Sequence, residues 1–334
     1  MAFIYNVNDT ATQVLAAKQI KENMFVELLH RNGKGVTETV ETNASTVRML
    51  KYKPLSGDAR TLGASKNGAF FNGAEAEVGQ VSEYDLNLLH LYDRNLDIPE
   101  VQQDMCPANL FDAGTKNIAG RVSTEINAST LAYQIKAYAD AKSLDNAVVL
   151  DAEPNYYSAF LDASTRLDDG DADNGIQTCP VEEREFICRP SFRRNLMTGN
   201  GVIVGGSNFA QSMLAKGGVD PDAKKDGSMY VGEIDLIPVY IAPKPIWDRA
   251  KTWAGSSAVV DTIQGIMMAA SATDRGISTQ DYVKIIDSPS GAGKRLQPKV
   301  RWGVNVCYAK GIVPIVANGT TEPTVITITA PGSV

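Results

Sequence analysis

Few residues in this chain have the type and spacing that chemistry requires. Histidine occurs twice, at His30 and His90. A nucleophilic relay needs a histidine as proton shuttle beside a serine or cysteine and a carboxylate. No such motif surrounds either one, so both are expected to be structural. His30 ends an amphipathic stretch, where a cation complements a helix C-terminus; His90 lies beside Leu89 in an alternating run. Asp169, Asp171 and Asp173 alternate as in a calcium loop. Asn174 and Pro180 stand where that loop needs Gly and Glu, so a solvated acidic loop is expected. Residues 288–295 (SPSGAGKR) approximate a phosphate loop, but Ser288 replaces the first Gly and Arg295 the final Ser or Thr, which leaves a flexible turn. Cys106, Cys179, Cys188 and Cys307 form no C-x-x-C pair, so isolated reduced thiols in or near the core are expected. Trp247, Trp253 and Trp302 are not interleaved with basic clusters, which suits packing and not base stacking. No catalytic residue, metal ligand or cofactor is implied.

One charge pattern remains. Residues 48–68 carry Arg48, Lys51, Lys53, Arg60 and Lys66 against Asp58, a net of +4. Residues 75–104 carry Glu75, Glu77, Glu83, Asp85, Asp93, Asp97, Glu100 and Asp104 against Arg94, a net of -7. Solvated surface would account for this. So would complementarity between copies, with a basic loop of one subunit on an acidic base of the next, where charge sets register more than affinity. Arg48, Lys51, Lys53, Arg60, Lys66, Glu75 and Glu77 are therefore candidate inter-subunit contacts.

The elements that must carry these groups can be read from periodicity. Residues 84–98 alternate, with Tyr84, Leu86 and Leu88 on one face, and close at Asp97-Ile98-Pro99, which predicts a strand ending in a turn. Then the period changes. Phe111, Ile118, Val122, Ile126, Leu131, Ile135 and Tyr138 recur at helical steps, interrupted only by Gly114 and Gly120. A helix continuous over 110–144 would be about 50 Å long, a scaffold and not the wall of a pocket. Residues 12–30 form an amphipathic pattern that stops at Asn32-Gly33-Lys34-Gly35. Residues 46–82 are glycine-punctuated and suit a two-stranded projecting loop ordered by neighbours. Later segments predict a strand from 147, a helix over 155–161, a buried strand over 184–190, a helix capped by Ser207 and a hairpin over 230–240. Residues 263–270 fit helix or strand by pattern. From Tyr282 the runs VKII, VRWGVNVCYA, IVPIV and TVITIT read as short strands. The mixture is α+β.

Composition bounds the function. The chain has 334 residues, enough for about two compact units, and is 43% apolar. Its net charge of -7 offers no overall basic footprint for gripping nucleic acid. No apolar run is long enough to span a bilayer, and the N-terminus lacks signal-peptide features, so a cytosolic site of synthesis is expected.

Three regions carry a family resemblance. The strand with its Asp97-Ile98-Pro99 turn and the segment RVSTEINASTLAY (121–133) resemble the peripheral domain and spine helix of tailed-bacteriophage major capsid proteins, the Hong Kong 97-type capsid fold. Residues 230–240 (YVGEIDLIPVY) are similar to a strand-turn-strand of that family's axial domain. Ala69-Phe70-Phe71-Asn72-Gly73 lies where the family places its extended loop. The resemblance covers most of 46–316 and favours a strand at 263–270. It implies an N-terminal arm (1–45), an extended loop (46–82), a peripheral domain (83–145 and 280–317), an axial domain (146–279) and a C-terminal tail (318–334). It further implies self-assembly into pentamers and hexamers of an icosahedral head in the host cytoplasm, enclosing double-stranded DNA without tight binding. A portal and a separate scaffolding protein would be partners; a membrane would not. The alternatives are an encapsulin-like shell around an enzyme cargo and a cytosolic enzyme with an unrecognised site.

Overall fold

The computed structural model describes residues 18, 20, 24, 37–40, 46–52, 81–98, 110–142, 144–169, 179–198, 229–269, 272–278, 283–289 and 293–330. In chain order the strands are β1 Thr37–Val40, β2 Thr46–Tyr52, β3 Val81–Asn87, β4 His90–Tyr92 and β5 Leu96–Ile98, followed by helix α1 Leu110–Asp140. Then come β6 Val148–Val149, α2 Tyr156–Asp168, β7 Arg184–Cys188, α3 Pro190–Thr198, β8 Tyr230–Ile234 and β9 Ile237–Ile241. Helices α4 Lys244–Ala254 and α5 Ser257–Thr262 precede β10 Ile263–Ala269, β11 Thr273–Ser278, β12 Val283–Asp287, β13 Lys294–Pro298, β14 Val300–Val306 and β15 Ile312–Val316. The mixture is α+β, as expected.

Helix α1 has 31 residues, about 46 Å at 1.5 Å per residue. From Ile118 to Tyr138 the apolar residues at helical steps are buried, but so are Ser123, Asn127, Ser129, Thr130 and Gln134. The middle of the helix is therefore enclosed on more than one side, and not striped as an amphipathic surface helix would be. Its buried hydroxyls bond back to the helix: Ser129 Oγ donates to Ile126 O at 2.9 Å and Thr130 Oγ1 to the same carbonyl at 2.8 Å. Such satisfaction is what makes polar burial tolerable. The helix packs on β5, β14, β15 and α4, so it joins three sheets. Gly114 allows the first of these contacts, since a Cβ there would lie 3.3 Å from side-chain carbons of Leu96, Ile98 and Leu296.

The six-stranded sheet has the order β6-β15-β10-β7-β9-β8. Strands β7 and β15 are buried at every position, and α2 and α3 pack on it through Phe160, Phe186 and Phe192, with ring centroids 5.1 and 5.4 Å apart. Gly265 makes room for this cluster, because a Cβ would stand 2.7 Å from Phe186 Cζ. The four-stranded sheet has the order β1-β11-β14-β4, and a three-stranded sheet has the order β12-β13-β5. β2 and β3 form a two-stranded antiparallel ribbon.

The chain changes sheets between Ala269 and Thr273 and again between Val306 and Ile312. Gln134 of α1 sits at the first crossing, its Nε2 3.2 Å from Met268 Sδ and 3.4 Å from Thr273 Oγ1. Arg275 of β11 is buried there; desolvation lowers its pKa to about 10, while the Glu185 carboxylate from β7 opposes the shift.

Several expectations are corrected. Residues 84–98 are not one strand but β3, β4 and β5, in three different sheets. The alternation survives, with Leu86, Leu88 and His90 buried and Asn87, Leu89 and Leu91 exposed. The break follows from a close backbone crossing: a Cβ on Gly303 of β14 would lie 2.1 Å from Asn87 O. Residues 184–190 are a strand only to Cys188, because Pro190 opens α3, a position where the missing N–H costs nothing. The TVITIT run joins no sheet. It lies extended with Ile326 buried, and Thr329 N–H donates to Trp253 O at 2.9 Å. Helix 155–161 extends to Asp168, capped by Asn155 Oδ1 on Ser158 N–H. The hairpin over 230–240 and a strand at 263–269 are present. Of the 12–30 pattern, Lys18, Ile20 and Met24 are helical; the loop over 53–80 and the helix at Ser207 lie outside the described residues.

Candidate assembly surfaces

Among the described residues, the groups with chemical potential are occupied in packing. His90 is buried, its Nε2 3.2 Å from Tyr133 Oη, with the Trp253 and Trp302 rings at 4.7 and 5.7 Å. Burial alone lowers its pKa to about 4, so it is a neutral ring at physiological pH. Burial also pushes the Cys188 thiol up to about 12 and raises that of Cys179, the reverse of an activated nucleophile. Cys307 Sγ donates to Asp274 Oδ2 at 2.9 Å. Cys106 and His30 lie outside the described residues.

The failed ligand motifs meet the same fate. Arg295 Nε and Nη2 grip Asp97 at 2.6 and 2.7 Å, and this bond holds the Asp97 carboxyl below its usual range. Lys294 pairs with Asp287. Both cations of the phosphate-loop-like turn are thus committed to carboxylates, and one of those carboxylates belongs to the acidic segment of the charge pattern. Asp169 follows α2; Asp171 and Asp173 lie outside the described residues. Among the described residues no group of three His, Cys, Asp or Glu side chains could hold a metal ion, and no helix is long and apolar enough to cross a membrane.

The three tryptophans use their N–H groups internally. Trp247 Nε1 donates to Ala242 O at 3.0 Å, Trp302 Nε1 to Ser129 Oγ at 2.9 Å, and Trp253 Nε1 to Glu125 Oε2 at 2.9 Å. Arg249 Nε reaches the other Glu125 oxygen at 2.6 Å. Glu125 thereby clamps α4 onto α1. Helix α4 was not expected from periodicity, although its signals are legible: Pro243 before the first turn, Gly255 in the left-handed region after the last, and Ile246, Trp247, Ala250 and Trp253 on one face.

What remains is surface. The ribbon carries two of the seven candidate contact residues. Its register sets Arg48 opposite Asp85, Leu50 opposite Glu83 and Lys51 opposite Ser82. By backbone register, a member of the basic segment is therefore paired with a member of the acidic segment within one chain. Lys53, Arg60, Lys66, Glu75 and Glu77 lie outside the described residues. Beside the ribbon base, Leu89 and Leu91 are exposed, and β4 is the last strand of its sheet. On the far margin of the six-stranded sheet, Leu236 is exposed at the hairpin tip. Neither surface was singled out by periodicity, which registers apolar residues without saying which face is covered.

No protein-family model and no curated protein sequence matches this chain. Solved structures do. The capsid of Ralstonia phage GP4 aligns over 90% of this chain and 87% of its own, at 9% identity and a TM-score of 0.55. The head structure of Helicobacter pylori bacteriophage KHP40 aligns over 90% and 91%, at 11% identity and a TM-score of 0.55. The mature capsid of bacteriophage PhiM1 aligns over 86% and 87%, at 11% identity and a TM-score of 0.52. Identity this low speaks for architecture alone, and the coverage extends it to most of the chain: the chain has the α+β fold of these phage capsid subunits, with α1 as its long central helix.

Proposed function

We propose that the protein is the major capsid protein of a tailed bacteriophage, assembling into pentamers and hexamers of an icosahedral head around double-stranded DNA. The observation that carries this is the fold likeness over nearly the full length of both chains. The occupied state of His90, the cysteines and the Lys294–Arg295 turn supports a structural and not an enzymatic role. The location would be the virion, after assembly in the host cytoplasm. A portal and a separate scaffolding protein would be its partners. The domain division follows: an arm over 1–45, an extended loop over 46–82 rooted in the β2–β3 ribbon, a peripheral unit on α1, an axial unit on the six-stranded sheet, and a tail from 318. Sheet membership supports assigning β11 to the peripheral unit and β15 to the axial one.

Negative-stain microscopy of the full chain, expressed alone and with a scaffolding protein, should show rings, tubes or closed shells. A strict monomer by light scattering under every condition, crowding included, would contradict the proposal. An encapsulin-like shell would be distinguished by an enzyme co-purifying inside, instead of empty or DNA-filled particles.

A further inference from the structure

The geometry points to the tip of the β8–β9 hairpin, Asp235-Leu236, as a contact by which one copy of this chain docks on the next. This deepens the capsid proposal and rests on it. Ile234 pairs with Ile237, so Asp235 and Leu236 form a two-residue turn, with φ of +54° and +65°. A turn with both central residues in the left-handed region favours Asn-Gly, because a Cβ crowds the backbone there. Leucine is among the poorer choices for it. Leu236 is also 64% exposed. Two local rules are thus broken at one residue: a bulky side chain sits where glycine fits, and an apolar one sits in water. Such violations persist where the surroundings hold them and function uses them.

The surroundings do hold this one. Ile234, Ile237, Val239 and Tyr240 are buried in the sheet, and the Tyr230 and Tyr240 rings lie 5.9 Å apart. A register shift between Tyr230 and Gly232, with Gly232 at φ +138°, marks a bulge in β8. Bulges re-aim strand ends and are common beside functional sites. Because β8 is the outermost strand, the hairpin stands at the margin of the sheet.

The occupant is a second copy. Glu233, near the end of β8, and Asp235, in the turn itself, are both exposed and would repel nucleic-acid phosphates. A single leucine covers far too little area to hold one independent partner. The same contact made by every subunit of a ring, head to tail, adds up without further surface. The fold is that of subunits found in capsids.

The test compares wild type with Leu236→Gly and Leu236→Asn, each residue being tolerated at positive φ. Thermal unfolding of unassembled full-length chain should show a melting temperature unchanged or raised by about 1–2 °C, since strain is relieved. The concentration giving half assembly, read by sedimentation velocity with microscopy of the pellet, should rise roughly tenfold. A wild type that assembles while both variants assemble at the same concentration overturns the hairpin contact and leaves the capsid proposal standing. A melting temperature lowered by several degrees in both variants overturns it as well, because Leu236 would then serve its own fold. A wild type that never leaves the monomer overturns both.

Discussion

In the six-stranded sheet, β7 and β15 are buried at all five positions each, and helices α2 and α3 close over Phe160, Phe186 and Phe192. The β2–β3 ribbon is a sheet of another kind: seven paired positions and, among the described residues, no third strand. It meets the rest of the described fold where Asn87 crosses Gly303. A two-stranded ribbon is marginal in water unless something packs on it. The first region is completed by its own chain; under the capsid proposal, the second would be completed by a neighbouring copy. If the proposed capsid role holds, that division would separate residues that keep the subunit folded from residues that join subunits.

The largest expected effect lies in the first region. Phe186→Ala removes the ring shared by Phe160, Phe192 and Gly265 and should cost about 3–5 kcal/mol. Urea unfolding of the unassembled chain measures this, and assembly should fail only because the subunit unfolds. A loss of shells without a loss of stability would blur the comparison at its strongest point.

Acid should act on the same side of the division. His90 is neutral in the folded chain, with its pKa lowered from 6.5 to about 4 by burial. The unfolded chain therefore takes up a proton that the folded chain refuses. Stability from this group is complete above pH 6.5, falls as pH drops toward 4, and changes no further below it. The loss is at most about 3 kcal/mol. Denaturation midpoints between pH 7 and pH 4, compared for wild type and His90→Phe, should show a steeper decline for wild type.

The junction of the two regions should give an intermediate effect. Gly303→Ala places a methyl 2.1 Å from Asn87 O, so the backbone at the ribbon base must move. Overpacking of this kind typically costs about 1–3 kcal/mol. Hydrogen exchange should accelerate over 81–92 and much less over β7 and β15. Uniform acceleration would mean that the ribbon base is an integral part of the core.

Charge carries the smallest expected effect per contact and the most specific one for assembly. Reversing Arg60 and Lys66 to Glu should leave the melting temperature near wild type, since exposed pairs are worth about 0.2–1 kcal/mol each. Shell yield by sedimentation should fall, and added salt should weaken wild type in the same direction. A compensating reversal at Glu75 or Glu77 should restore part of the yield. Equal yields at low and high salt would reduce the pattern to solvated surface. Arg48 is the register partner of Asp85 in its own ribbon, so Arg48→Glu should affect assembly less than the double reversal.

Much of this was legible in the chain. The spine helix, the 230–240 hairpin and the strand ending at Cys188 follow from periodicity and from Gly and Pro as punctuation, because backbone sterics act over a few residues. The structural standing of His90 was legible too, from the lack of partner residues around it. Sequence could not divide 84–98 among three sheets, since alternation is the same whether a strand runs on or is broken by a neighbour crossing at Gly303. Nor could it keep TVITIT out of a sheet. Thr, Val and Ile favour extended backbone, and whether a partner strand lies alongside is a property of the whole fold. The enclosure of α1 on several sides, the Glu125 clamp on Trp253 and Arg249, and the exposure of Leu236 are likewise tertiary facts. Periodicity fixes which residues share a face; only the packing of distant segments decides what, if anything, covers it.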